Sequence, residues 1–183
     1  MRTFTRILVV AAFAVPGISI ITQVRADPPQ TCAGLAITDN RATDSDDYLT
    51  GTTEVDVISL SSGSDQYFAD GAGDTVCGND GADVLGGEEG SDDLNGGVGP
   101  DILAGMSGND DVNGGDGTDE VHGGQGDDIV RGGPGDGAPD TLFDGGGNDT
   151  IIGGSNDTWY RCGDGSTDDA SAFRGTIQAD PDC

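Results

Sequence analysis

GGVGPDILA (Gly96–Ala104) is one copy of a nine-residue unit, and its neighbours repeat it without a gap. GEEGSDDLN (Gly87–Asn95) precedes it; GMSGNDDVN (Gly105–Asn113), GGDGTDEVH (Gly114–His122) and GGQGDDIVR (Gly123–Arg131) follow. Aligned on the aspartate, Asp56, Asp65, Asp74, Asp83, Asp92, Asp101, Asp110, Asp119 and Asp128 stand nine residues apart. Two positions after each comes Ile58, Tyr67, Val76, Leu85, Leu94, Leu103, Val112, Val121 or Val130. An insertion around Pro134–Pro139 stretches the next step by three, to Asp140 with Leu142. Asp149 with Ile151 restores the period, and Asp157 with Trp159 closes the clear array one residue early. Asp47 with Leu49 fits the spacing upstream but lacks the glycines. Acidic, glycine-rich low complexity does not produce a fixed offset from aspartate to aliphatic residue.

Each residue type has a physical reason in this pattern. A tight turn needs backbone angles that a Cβ resists and glycine accepts. The residues around the aliphatic position read as a short strand, with the middle side chain pointing one way and its neighbours the other. One nonapeptide is therefore one turn and one strand, two make a coil, and alternate copies fall on the same flank. One flank is expected to carry Asp65, Asp83, Asp101, Asp119, Asp140 and Asp157, the other Asp74, Asp92, Asp110, Asp128 and Asp149. The expected fold class is all-β, a parallel β-roll (a right-handed β-solenoid) with disulfide-tied end caps. Coils stack at about 4.8 Å, so the carboxylates stack too.

Composition narrows the function. Of 183 residues, 34 are Asp or Glu and 34 are Gly; there is no lysine, and the net charge is −27. Such a chain repels nucleic acid and anionic membranes and draws cations. With aromatics at only 5%, it has too few large apolar groups for an ordinary core. Residues 1–26 differ in kind. Two arginines, the apolar run Ile7–Ile21 and a small residue at Ala26 match a secretory signal peptide. The run is short for a membrane span and contains Pro16 and Gly17. A secreted, extracellular product without membrane insertion is expected. In an oxidising compartment the four cysteines, Cys32, Cys77, Cys162 and Cys183, suggest two disulfides. Three pairings are possible; Cys32–Cys77 with Cys162–Cys183 is favoured because each pair closes one end of the array.

The consensus Gly-Gly-x-Gly-x-Asp-x-aliphatic-x resembles the RTX, or haemolysin-type, calcium-binding repeat family. The resemblance spans about Asp47 to Trp159. It implies that several Ca2+ ions sit between stacked turns of one flank and that aspartates bridge successive ions. Calcium is a hard cation that takes six to eight oxygens, and a GGxGxD turn offers both carbonyls and a carboxylate. The expected metal-binding residues are Asp65, Asp74, Asp83, Asp92, Asp101, Asp110, Asp119, Asp128, Asp140 and Asp149. With them go the turn glycines Gly87, Gly90, Gly96, Gly97, Gly99, Gly105, Gly108, Gly114, Gly115, Gly117, Gly123, Gly124 and Gly126. The neighbouring acids Asp93, Asp111 and Asp127 read as solvated charge. One aliphatic residue per nine is a thin core, so the fold is expected to require calcium, which turns carboxylate repulsion into ligation.

The expected organisation is a signal peptide (1–26), an N-terminal cap (27–46), the roll (47–160) and a C-terminal cap tail (161–183), with Trp159 plugging the open end. A catalytic site is not expected. His122 is the single histidine and should point outward; GMSGN is not a G-x-S-x-G elbow, and no Walker loop is present. Large family members append the repeats to a catalytic or pore-forming domain, whereas here the repeats are nearly the whole chain. The expected function is a secreted calcium-binding roll. The alternative is a calcium-dependent adhesive module meeting a cell-surface polymer or protein.

Overall fold

The computed structural model describes residues 31–38, 41–133, 137–162 and 167–179. The expected signal peptide lies outside these residues. Among them there is no helix, and the chain winds into a solenoid of two parallel sheets. Copies alternate between the sheets. Tyr48–Thr50, Gln66–Phe68, Val84–Gly86, Ile102–Ser107, Glu120–Gln125, Thr141–Gly146, Thr158–Arg161 and Thr176–Ala179 form one; Val57–Ser59, Thr75–Gly81, Asp93–Val98, Asp111–Asp116, Ile129–Arg131 and Thr150–Ile152 form the core of the other. Register follows the repeat: Leu103 pairs with Leu85 and Val121, and Val112 with Leu94 and Val130.

The three-residue insertion does not break the stack. Glu120 pairs with Thr141 and Val121 with Leu142, so the extra residues are absorbed between Gly133 and Asp140. Several strands are longer than the motif predicts. Ile102–Ser107 and Glu120–Gln125 each run six residues, because pairing resumes after the first glycine, as between Met106 and Gly124.

The core is a single column. Ile58, Tyr67, Val76, Leu85, Leu94, Leu103, Val112, Val121, Val130, Leu142, Ile151 and Trp159 are all at most 3% exposed and form one cluster. Each is worth about 1.5–3 kcal/mol of burial. Their order along the column is the order of the chain.

Both ends carry atypical segments. At the start, Thr31–Cys32 and Leu35–Ala36 pair antiparallel, and Cys32 is disulfide-bonded to Cys77 on the second sheet. The expected Cys162–Cys183 pairing falls on Cys183, which lies outside the described residues. At the far end Trp159 does fill the inward slot, but the solenoid continues past it. Thr158–Arg161 pairs in parallel with Thr176–Ala179, and Asp169 bridges to Thr150. Ala170 and Phe173 pack on the core, the Phe173 ring meeting Trp159 edge-on at 5.8 Å. Ile177, with no strand beyond it in the sheet among the described residues, is exposed.

Candidate metal centre

The aspartates form two hydrogen-bonded ladders, one on each flank. On the first, the backbone N–H groups of Asp47, Asp65, Asp83, Asp101, Asp119 and Asp140 donate to Oδ1 of Asp65, Asp83, Asp101, Asp119, Asp140 and Asp157 respectively, at 2.7–3.2 Å. On the second, Asp56, Asp74, Asp92, Asp110 and Asp128 donate in the same way to Asp74, Asp92, Asp110, Asp128 and Asp149, at 2.7–2.9 Å. The structure therefore divides the aspartates as the nine-residue period does. All ten expected aspartate ligands are buried.

One oxygen of each carboxylate is thus satisfied. The other is not: Oδ2 of Asp65, Asp74, Asp83, Asp92, Asp101, Asp110, Asp128 and Asp149 is buried without a hydrogen-bond partner. A buried charged oxygen without a partner is costly, and here such atoms recur along both flanks.

What these oxygens face is shown by the first glycine of each turn. A Cβ on Gly87 would lie 2.5 Å from Asp92 Oδ2 and 2.7 Å from the carbonyl oxygen of Gly105, one coil on. On Gly123 it would lie 2.8 Å from Asp128 Oδ2 and 2.5 Å from the carbonyl oxygen of Asp144. Gly78, Gly96, Gly105 and Gly114 repeat the arrangement with Asp83, Asp101, Asp110 and Asp119. At each first glycine a carboxylate oxygen and a carbonyl oxygen thus converge on space that any side chain would fill. That is a cradle for an oxygen-liganded cation, and the residues present fit calcium.

The expected turn glycines divide into two roles. Gly87, Gly96, Gly105, Gly114 and Gly123 keep the cradle open. Gly97, Gly115 and Gly124, in the second slot, have φ of 111–115°, and Gly90, Gly99, Gly108, Gly117 and Gly126, in the fourth, have φ of 129–157°. These eight supply positive-φ turn geometry, and a Cβ on any of them would also lie within 2.3 Å of a carbonyl oxygen of the preceding coil.

Where the second slot is not glycine the backbone is still held there: Glu88 has φ 72° and Met106 φ 77°. Such a conformation costs a residue with a Cβ about 1–2 kcal/mol. Met106 is largely exposed, so Met106→Gly removes strain while losing little packing. It is expected to stabilise the folded chain by about 1 kcal/mol, part of the gain being offset by the freer unfolded backbone. A lowered thermal midpoint in calcium would contradict this.

The cradle is not uniform along the chain. Leu60 and Ala69 stand in the first slot of the copies ending at Asp65 and Asp74, and their side chains are fully buried in the core. They fill the space that the glycines keep open. Further toward the start, protein donors take the second carboxylate oxygen. Thr43 N–H and hydroxyl donate to Asp47 Oδ2 at 2.6 and 2.9 Å, and Thr52 does the same for Asp56 at 2.7 and 3.0 Å. At the far end the Gly154 N–H reaches Asp157 Oδ2. The threonine four residues before each early aspartate is the signal in the sequence that distinguishes these copies.

Burial, opposed in part by the ladder hydrogen bond and reinforced by neighbouring carboxylates, raises these groups. Asp92 and Asp128 are pushed up to about 6, Asp101 and Asp149 to about 7. Asp65, Asp74, Asp83 and Asp110 move the same way, chiefly through burial.

The outer acids lie outside the ladders, although Asp93 is raised too, chiefly by desolvation and then by Asp111. Asp93 and Asp127 are exposed, Asp111 pairs with Arg131, and Asp127 Oδ1 accepts the Asn148 N–H. His122 points outward but is half-buried: its ring stacks on Phe143 at 4.3 Å, and Phe143 stacks on Tyr160 at 5.0 Å. Two acids near the site were not singled out in the sequence, Asp144 and Asp168. Asp144 stands where the other turns carry their first glycine, and Asp168 follows a break in the nine-residue period.

The RTX calcium-binding nonapeptide repeat model matches in four copies, at residues 41–76, 72–103, 104–138 and 134–158. The matches cover most of the chain, and the protein belongs to this family of calcium-binding repeat proteins. No curated protein matches the chain.

Proposed function

We propose that the protein is a secreted calcium-binding β-roll, released from a leader at residues 1–26, that folds as several Ca2+ ions bind and performs no catalysis. The observation that carries this is the double row of buried, unpartnered Oδ2 atoms facing the carbonyls of the next coil. The ion-holding set is Asp83, Asp92, Asp101, Asp110, Asp119, Asp128, Asp140 and Asp149. With them go the first-slot glycines and the carbonyl oxygens of Gly96, Gly105, Gly114 and Gly123. Asp65 and Asp74 extend the ladders toward the cap, their cradles being filled.

Calcium supplies the positive charge that these oxygens lack. The chain's own residues do the rest: the ladder bonds fix each carboxylate, the first glycines leave room, and the aliphatic column excludes water. Because the sites need two coils in register, ligation and folding are one process. Extracellular modules of this kind bind with Kd of about 10⁻⁴–10⁻³ M, so the fold forms where calcium is plentiful. The Cys32–Cys77 disulfide supports an oxidising destination.

Titrating calcium into the chelated, leaderless protein is expected to produce a cooperative gain of β signal in far-UV circular dichroism, with magnesium ineffective. A chain that stays unfolded at about 10 mM calcium, far above the expected Kd range, would end the proposal. The adhesive alternative is favoured by one feature, the outward stack of His122, Phe143 and Tyr160. Retention on a cell-surface polymer that chelator abolishes is its test.

A further inference from the structure

The last coil carries a cluster that the repeat pattern does not specify. Asp144, Asp149 and Asp168 place carboxylate oxygens within 4.8 Å of one another. Asp144 is in register with Gly123, since its neighbours Phe143 and Gly145 pair with His122 and Gly124. A carboxylate therefore occupies the slot that the central turns leave empty. Asp144 Oδ1 accepts the N–H groups of Cys162 and Gly145, both at 2.8 Å. Its Oδ2 has no hydrogen-bond partner, nor does Oδ2 of Asp149, and both residues are only 1% exposed. Asp168 receives Arg161 Nε at 3.1 Å and the Asp149 N–H at 3.4 Å. The indole of Trp159 lies close enough to Asp144 to favour its charged form, though without a hydrogen bond of ordinary geometry.

We infer that Asp144, Asp149 and Asp168 form a cation site with its own ligand set at the C-terminal end of the roll, where Asp149 ends its ladder, for calcium or a similarly hard, oxygen-seeking cation. Three carboxylates converge there, where each central cradle shows one carboxylate oxygen and one carbonyl. Arg161 offsets only part of the charge. Affinity in oxygen-liganded sites rises with the number of charged ligands, so this site fills before the central ones. The inference rests on the calcium reading above only for the identity of the natural ion.

The test uses terbium(III) as probe on the full leaderless chain. The chain has one tryptophan, so terbium emission excited at the red edge of the indole band reports ions near Trp159 alone. Emission excited through tyrosine adds those near Tyr67, toward the other end, to those near Tyr160 beside Trp159, and the added part is the tyrosine phase. In the wild type the tryptophan-sensitised phase is expected to saturate first. Asp144→Asn keeps an oxygen for the Cys162 N–H but removes the charge, and is expected to weaken that phase about tenfold or more. Asp144→Gly, which restores the repeat residue, is expected to do the same, while Asp56→Asn, at a carboxylate whose Oδ2 already accepts two hydrogen bonds from Thr52, leaves it unchanged.

An unchanged tryptophan-sensitised phase in both Asp144 variants overturns the inference. So does a wild-type phase that saturates together with, or after, the tyrosine phase, and this arm needs no variant to fold. If that phase behaves as expected while calcium leaves the β signal flat, the fault lies with the folding proposal and not with this site.

Discussion

In calcium-free buffer, lowering the pH from about 8 to about 4 is expected to increase the β structure of the chain. The cause is the set of raised carboxyls. Asp101 and Asp149 sit at about 7 in the folded roll, and Asp92 and Asp128 at about 6, against an ordinary 3.8. Between those values the folded chain binds more protons than the unfolded one. Their stabilising contribution is therefore complete below the ordinary carboxyl range and is lost as the pH rises through about 6–7. A proton on Oδ2 neutralises the buried charge and serves, poorly, in place of a cation. In calcium the dependence reverses, because protons now compete for the ligands. The calcium concentration needed for half-folding is expected to rise as pH falls through the same interval. Circular dichroism at fixed calcium, and without it, across this range checks both arms. Equal slopes in the two buffers would contradict the assignment of these carboxylates.

Asp101→Asn is expected to raise the calcium midpoint about tenfold or more. The amide oxygen can still accept the Asp83 N–H, so the ladder survives. The NH2 group, however, replaces Oδ2 at the cradle beside Gly96 and the Gly114 carbonyl, where a donor cannot ligate a cation. Ions on one flank share the stack, so loss at the middle coil also weakens its neighbours. Asp56→Asn is the comparison. Asp56 Oδ2 already accepts two hydrogen bonds from Thr52, so the change costs about 1 kcal/mol and leaves the number of bound ions unchanged. Calorimetric titration of the two variants separates these outcomes. Equal effects would show that the unpartnered Oδ2 atoms do not mark the ion sites.

Much of this was legible because the repeat couples chemistry to position. A fixed offset between aspartate and aliphatic residue identified the core column from Ile58 to Trp159 and the division of aspartates between flanks, even across the insertion before Asp140. What escaped notice lies where a residue keeps the backbone path but changes the chemistry. Leu60 and Ala69 stand where later copies carry their first glycine, and only their burial in the core shows that they fill two cradles. Asp144 reads as a stray acid until pairing puts it in register with Gly123. The continuation through Asp168, Ala170 and Thr176 is hidden because the segment after Cys162 breaks the period and alanine replaces the aliphatic residue. Glycine in the sequence also did not distinguish the first slot, which leaves room at the cradle, from the second and fourth, which combine positive φ with close approach to a carbonyl of the preceding coil.

The most direct test of the central claim is anomalous diffraction from crystals of the calcium-loaded protein. Two rows of peaks are predicted, one along each flank, with each peak at a first-slot glycine between an aspartate Oδ2 and the carbonyl of the next coil, from Asp83 onward, and none beside Asp47 or Asp56. Peaks confined to the outer acids Asp93, Asp111 and Asp127, or no ordered ions along the ladders, would contradict it.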